Sequence, residues 1–152
     1  MGTFRDALTQ LGGLTVSGVT THYPFDAVPE AVARAQLPAL LTLPLEQERG
    51  LFADRGEGLT RLGFSGGGQT ATYHLTHLLL VAPLIGSTGA SHAGTLVDLV
   101  DAYLAALAAS PLLGDTLALP PEVRVEVGAF THGGVRYAGC AFRHRWQLRL
   151  VP

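Results

Sequence analysis

His74 and His77 form an H-x-x-H pair, the kind of spacing from which imidazoles can hold zinc. Their surroundings argue against it. Gln69 to Ala82 alternates apolar and polar residues as a strand does, and residues three apart on a strand point to opposite faces. The spacing therefore puts His74 outward, leaves His77 half-buried, and denies them a shared metal. Cys140 and His144 have the types of a thiol–imidazole pair. Four apart on a strand, they share a face but stand roughly 13 Å apart at 3.3 Å per residue, whereas a nucleophile and its base need about 3 Å. Cys140 reads as a small core residue. Asp98 and Asp101 could mimic a catalytic carboxylate pair, but they oppose the apolar stripe of their helix and read as solvated. Ser91-His92 stands at a helix start that could take an anion; capping by Ser91 is the commoner role. The glycine-rich run from Gly63 to Gly68 lacks the phosphate-loop lysine and precedes a strand, so it reads as a flexible hairpin.

Arg143, Arg145 and Arg149 carry more. With Gln147 they alternate along the last strand, so the three guanidinium groups share one face, while Phe142, Trp146, Leu148 and Leu150 take the other. Such a face can be merely solvated. It can also be an ion-pairing surface between subunits, or a positive lining past which DNA travels, because arginine pairs bidentately with carboxylate or phosphate. A contact with passing DNA would be sequence-blind.

The elements that must position these residues follow from the hydrophobic pattern. Phe4, Ala7, Leu8 and Leu11 make one face of a short helix, about 3–11, ended by Gly12-Gly13. Leu14 to Val19 reads as a strand. Pro29 opens a short helix within the stretch Pro24 to Pro38. Ala39 to Leu45 reads as a strand with Pro44 near its end. Residues 46–69 turn charged and then glycine-rich; the expectation is a long protruding hairpin, with strand over Leu59 to Phe64. The clearest helix spans about 92–109, with Leu96, Leu99, Val100, Tyr103, Leu104 and Leu107 in one stripe. Val123 to Phe130 and Val135 to Leu150 are strands joined by the turn signal His132-Gly133-Gly134. The apolar set of the last strand changes parity near Gly139, which predicts a bulge there. The predicted fold is a single α+β domain over 1–152, a mostly antiparallel sheet with one long and one or two short helices on one face and a long extended hairpin.

Composition narrows the functions. The chain is 152 residues long, 47% hydrophobic and 14% charged. About 25% charged is usual for a globular domain, so more of this surface suits a partner. All ten basic residues are arginine. Without lysine there is no Schiff base and no pyridoxal-phosphate anchor. One cysteine excludes an intrachain disulfide and any cysteine-only metal site. An acid at Asp6 where a signal peptide is apolar, and apolar runs far short of a bilayer span, lead to the expectation that the product is neither exported nor inserted.

The layout resembles the tail terminator (tail completion) family of long-tailed bacteriophages. The stretches that carry the resemblance are the opening helix with LPALLTLPLE, then TATYHLTHLLLVAPL with TLVDLVDAYLAALAASPLL, then VRVEVGAFTHGGVRYAGCAFRHRWQLRL, in the family's order of helix, strands, helix and closing hairpin. The resemblance implies a non-enzymatic virion protein without cofactor or metal, made in the host cytoplasm. It implies a hexameric ring that caps the tail tube and forms the tail side of the head–tail junction. The partners would be further copies of the chain, the tail tube protein and a head-side connector, with no membrane. The hairpin from Leu51 to Gly68, with Leu51, Phe52, Arg55 and Arg61, would reach the adjacent subunit or the tube. Arg143, Arg145 and Arg149 would line an interface or the lumen. Three alternatives stay open: another neck or head-completion connector, a small-ligand enzyme or binding domain using His74, Asp98, Asp101 or His144, and a DNA-binding domain using the arginine face.

Overall fold

Two strands of sixteen residues, β4 (Gly68–Pro83) and β6 (Val135–Leu150), run antiparallel along nearly their full length and form the axis of the fold. The computed structural model describes residues 4–44, 58–65, 68–85 and 90–150, with the backbone alone given for 58–65, 68–69, 90 and 150. Along the outer side of β4 lie two short strands end to end. β3 (Gly58–Ser65) pairs with Gly68–His74, and β2 (Ala39–Leu43) pairs with Thr76–Leu80. β1 (Thr21–Tyr23) adds to β2 in parallel. On the other side β5 (Glu122–His132) pairs with β6, giving the order β1-β2-β4-β6-β5 with β3 beside β4. The fold is α+β, a mostly antiparallel sheet with one short and one long helix, α1 (Phe4–Gly12) and α2 (Ala93–Ala109).

Both helices cover the same face. Ala7, Leu8 and Leu11 of α1 and Leu96, Leu99, Tyr103 and Leu107 of α2 bury against Leu75 and Leu79 of β4 and Cys140, Phe142, Trp146 and Leu148 of β6. Each large apolar side chain buried this way contributes about 1.5–3 kcal/mol. The opposite face is apolar only at one end. There Leu41, Leu43, Leu78, Leu80, Tyr137 and Ala141 pack under Val28, Val32 and Leu37. The segment 24–38 is thus a strap, tied by His132 Nε2 donating to the Pro29 carbonyl at 2.8 Å and Tyr137 Oη donating to the Val32 carbonyl at 3.3 Å. That second cover explains why all five residues of β2 are buried, where alternation predicts one buried face.

The strap corrects two expectations. Pro29 starts no α-helix; only a 3-10 turn forms, at Arg34–Gln36. Leu14 to Val19 is not a strand, because its backbone bonds locally, Leu14 N–H to Leu11 and Val19 N–H to Val16, while Leu14 and Val16 sink into the helix-side core. The strand begins later, at Thr21.

The bulge is also displaced. β6 alternates without interruption through Gly139, Tyr137 facing the strap and Ala138, Cys140 and Phe142 facing the helices. The extra residue sits opposite, in β4, where the register passes from Leu80–Gly139 to Ala82–Ala138 and skips Val81. Apolar residues on both faces of β6, not a change of parity, produced the pattern. A Cβ at Gly139 would run into the Leu79 carbonyl, so glycine is required by this close approach. In the expected hairpin of residues 46–69, Gly58–Ser65 is a strand of the sheet, while 45–57 and 66–67 lie outside the described residues.

Candidate functional sites

A buried polar chain lies beneath α2, half of the sheet face opposite the helices is open, and an apolar groove follows one edge of the sheet.

His77 is fully buried, not half-buried as its spacing suggested, because α2 closes over it. Tyr103 of α2 stands between the two histidines, its hydroxyl 2.9 Å from His77 Nδ1 and 2.6 Å from His144 Nε2. The indole N–H of Trp146 lies 3.1 Å from His144 Nδ1. An indole nitrogen only donates. His144 therefore accepts at Nδ1 and carries its proton on Nε2, which donates to Tyr103; Tyr103 in turn donates to His77 Nδ1. Every member is neutral. Burial pushes His144 down to about 3 and, with the neighbouring His144 and His22, holds His77 well below the ordinary imidazole range. Burial also pushes the Cys140 thiol up to about 12. Both nitrogens of His144 are engaged and the thiol is held protonated, so His144 is not placed to serve Cys140 as a base. The chain is a satisfied core network. Asp98 and Asp101 are exposed on α2, and Ser91 precedes a helix whose N-cap, His92, makes no side-chain capping bond. Among the described residues no group of three or more His, Cys, Asp or Glu side chains is placed to hold a metal.

The predicted arginine face is real, and it lies on the side opposite the helices, beyond the strap. Across the strands run rows set by the register: Thr76, Arg143 and Arg124; His74, Arg145 and Glu122; Thr72 and Gln147; Thr70 and Arg149. Arg143 and Arg124 are like charges placed directly opposite, which is unfavourable alone. Glu126 resolves the conflict by giving one carboxylate oxygen to each, Oε2 to Arg143 Nε at 2.7 Å and Oε1 to Arg124 Nη2 at 2.9 Å. Arg143 also donates to Thr76 Oγ1 at 2.9 Å and is only 9% exposed. Arg145 pairs with Glu122 at 2.7 Å, and Arg149 is exposed. Around His74, Arg124, Arg143 and Arg145 the surface forms a shallow recess of about 440 Å³. Of the other candidates, Arg61 sits on β3 opposite Thr72 in register, with backbone alone described. Leu51, Phe52 and Arg55 lie outside the described residues.

On the helix side, α2 stops short of β5. Between them a groove of about 390 Å³ is walled by Leu96, Val97 and Val100 of α2 and floored by Val127, Ala129 and Ala138. Val97 and Val127 are 60% and 61% exposed, unusual for valines on packed elements. Val123, nearer the start of β5, packs against the helix-side core, whereas Val125 and Val127 stand exposed.

No protein-family model matches the chain, and a search of curated proteins finds no match.

Proposed function

We propose that this chain is a structural virion protein, a subunit of the ring, hexameric by the family resemblance, that caps a phage tail tube and forms the tail side of the head–tail junction. What supports this is the order of elements: an opening helix, short strands, one long central strand, one long helix and a closing hairpin, the order that carries the family resemblance. The surfaces suit the role. An exposed valine groove and a face of arginine–glutamate pairs offer one apolar and one polar contact to neighbours, and heterologous contacts close into a ring when the rotation permits. The arginine face would line the interface or the lumen, and the segment from Leu51 to Gly68 would reach the next subunit or the tube.

The test is to mix the purified chain with uncapped tail tubes, follow particle mass by light scattering and image the ends by negative stain. Closed rings, free or seated at one end of the tubes, are expected. Tubes left bare at every protein concentration, with no ring in solution, would overturn the proposal.

A further inference from the structure

β5 is one edge of the sheet among the described residues, with β1 and β3 on the other side. Its ladder to β6 is unbroken from Glu122 to His132, without bulge or proline, so two of the usual protections of an edge are missing. The two-residue turn Gly133-Gly134, with φ of +59° and +77°, makes His132 and Val135 the closing pair, which exchanges both main-chain hydrogen bonds. Counting back in twos, even-numbered residues of β5 direct N–H and C=O to β6. Val123, Val125, Val127 and Ala129 direct theirs outward. Val125 and Val127 are 37% and 61% exposed, so the strip carries both unpaired backbone and bare apolar side chains.

We infer that this edge pairs antiparallel with the same edge of a second copy of the chain, about a two-fold axis through Val125. In that register the sequence of β5 is self-complementary from Val123 to Val127. Val125 faces its own copy, and Val123 faces Val127 of the other chain, all at positions whose main-chain groups point outward. Between them Arg124 falls opposite Glu126 of the other chain, twice, on the face where Arg124 is 63% exposed. Centring on Arg124 would set Arg124 against its own copy and Glu122 against Glu126, like charges throughout. Centring on Val127 sets Arg124 against Phe130 and Glu126 against Gly128, losing both ion pairs. Centring on Val123 also sets Arg124 against Glu122, but only Glu122 to Arg124 of the two strands then overlap, and Pro121, which has no N–H, falls against Val125. The pairing joins the two sheets and sets the two valine strips side by side between the α2 helices. An isologous contact does not by itself close a ring of six, so the inference stands apart from the ring: capped tubes can form without it, and it without them.

The full chain is followed by sedimentation over a wide concentration range, and V125C and V127C are oxidised separately. In the inferred register two thiols at position 125 face each other with Cα atoms about 5.5 Å apart, inside the disulfide range. Two at position 127 stand roughly 14 Å apart. Cys140 is buried and does not compete. The expected results are a dimer of the unmodified chain, rapid disulfide-linked dimer for V125C and none for V127C. V125K, which sets like charges on the axis, is expected to raise the dissociation midpoint at least about tenfold. A monomer at every concentration overturns the inference. So does equal cross-linking of V125C and V127C, or a V125K chain that folds by circular dichroism and dimerises as before. Should V125K fail to fold, the two cysteine variants decide.

Discussion

Replacing Tyr103 with phenylalanine keeps the ring stacked on Phe142, centroids 3.6 Å apart and nearly parallel, and removes only the hydroxyl that joins the two buried histidines. His77 Nδ1 then lacks a donor and the His144 Nε2 proton lacks an acceptor, both away from water. Leaving a buried polar group unmade costs about 1–3 kcal/mol, so Y103F is expected to lose about 2–4 kcal/mol of stability. A lower urea midpoint with unchanged slope would show it. The same histidines make stability depend on acid. Both are neutral in the fold, with pKa values depressed below the 6.5 of an unfolded imidazole. Their contribution is complete above pH 6.5. As pH falls below that, the unfolded chain takes protons that the folded chain refuses until about pH 3 at His144. Stability therefore declines towards acid by up to about 1.4 kcal/mol per pH unit for each histidine. Urea midpoints measured at neutral pH and at pH 5 test this, and equal stability at the two would contradict the assignment.

At the scale of elements, the bulge at Val81 and the glycine at 139 lie side by side: the Leu79 carbonyl comes close to β6 just before the bulge, and the glycine leaves room for it. G139A is expected to cost about 1–3 kcal/mol, near the upper end because the obstacle is backbone and cannot swing away. G128A is its control. A Cβ at Gly128 meets nothing within 4 Å, so that variant should be neutral or up to about 1 kcal/mol more stable in thermal unfolding. A similar loss at both positions would refute the close-approach argument. These elements also show what the chain discloses on its own. The alternation of β4 to β6 and the stripe of α2 were legible because each buries a face at a fixed period. The strap was not, because segment 24–38 has no period of its own and is shaped by Leu78, Tyr137 and Ala141, far away in sequence. The arginine face was legible, and its partners were within reach: a two-residue turn at Gly133-Gly134 fixes every cross-strand pair, including Arg145 with Glu122. The bridge from His77 through Tyr103 to His144 was beyond reach, since it joins three elements whose packing no local pattern records.

At the scale of the whole molecule, the competing role for the arginine face is binding of DNA by the single chain, and charge decides what to expect. Among described side chains the open face carries Arg124, Arg143, Arg145 and Arg149 against Glu122 and Glu126, four positive and two negative, for a surplus of two. The chain as a whole is at −2. Arg143 is tied to Glu126 and Thr76, and turning it to a phosphate would break both bonds. With a net surplus of about two positive charges, the logarithm of affinity should fall against that of salt with a slope near 2 at most, where proteins making 6–10 phosphate contacts show slopes several times steeper. The prediction is that fluorescence anisotropy with duplex DNA detects no saturable binding by the free chain at physiological salt, and only weak, shallow-sloped binding at low salt that R149A reduces further. Six copies around a lumen would add their surpluses, so a ring can attract passing DNA where one subunit does not. Tight binding by the single chain with a steep salt slope would transfer the arginine face from an assembly surface to a nucleic-acid site, and with it the function of the chain.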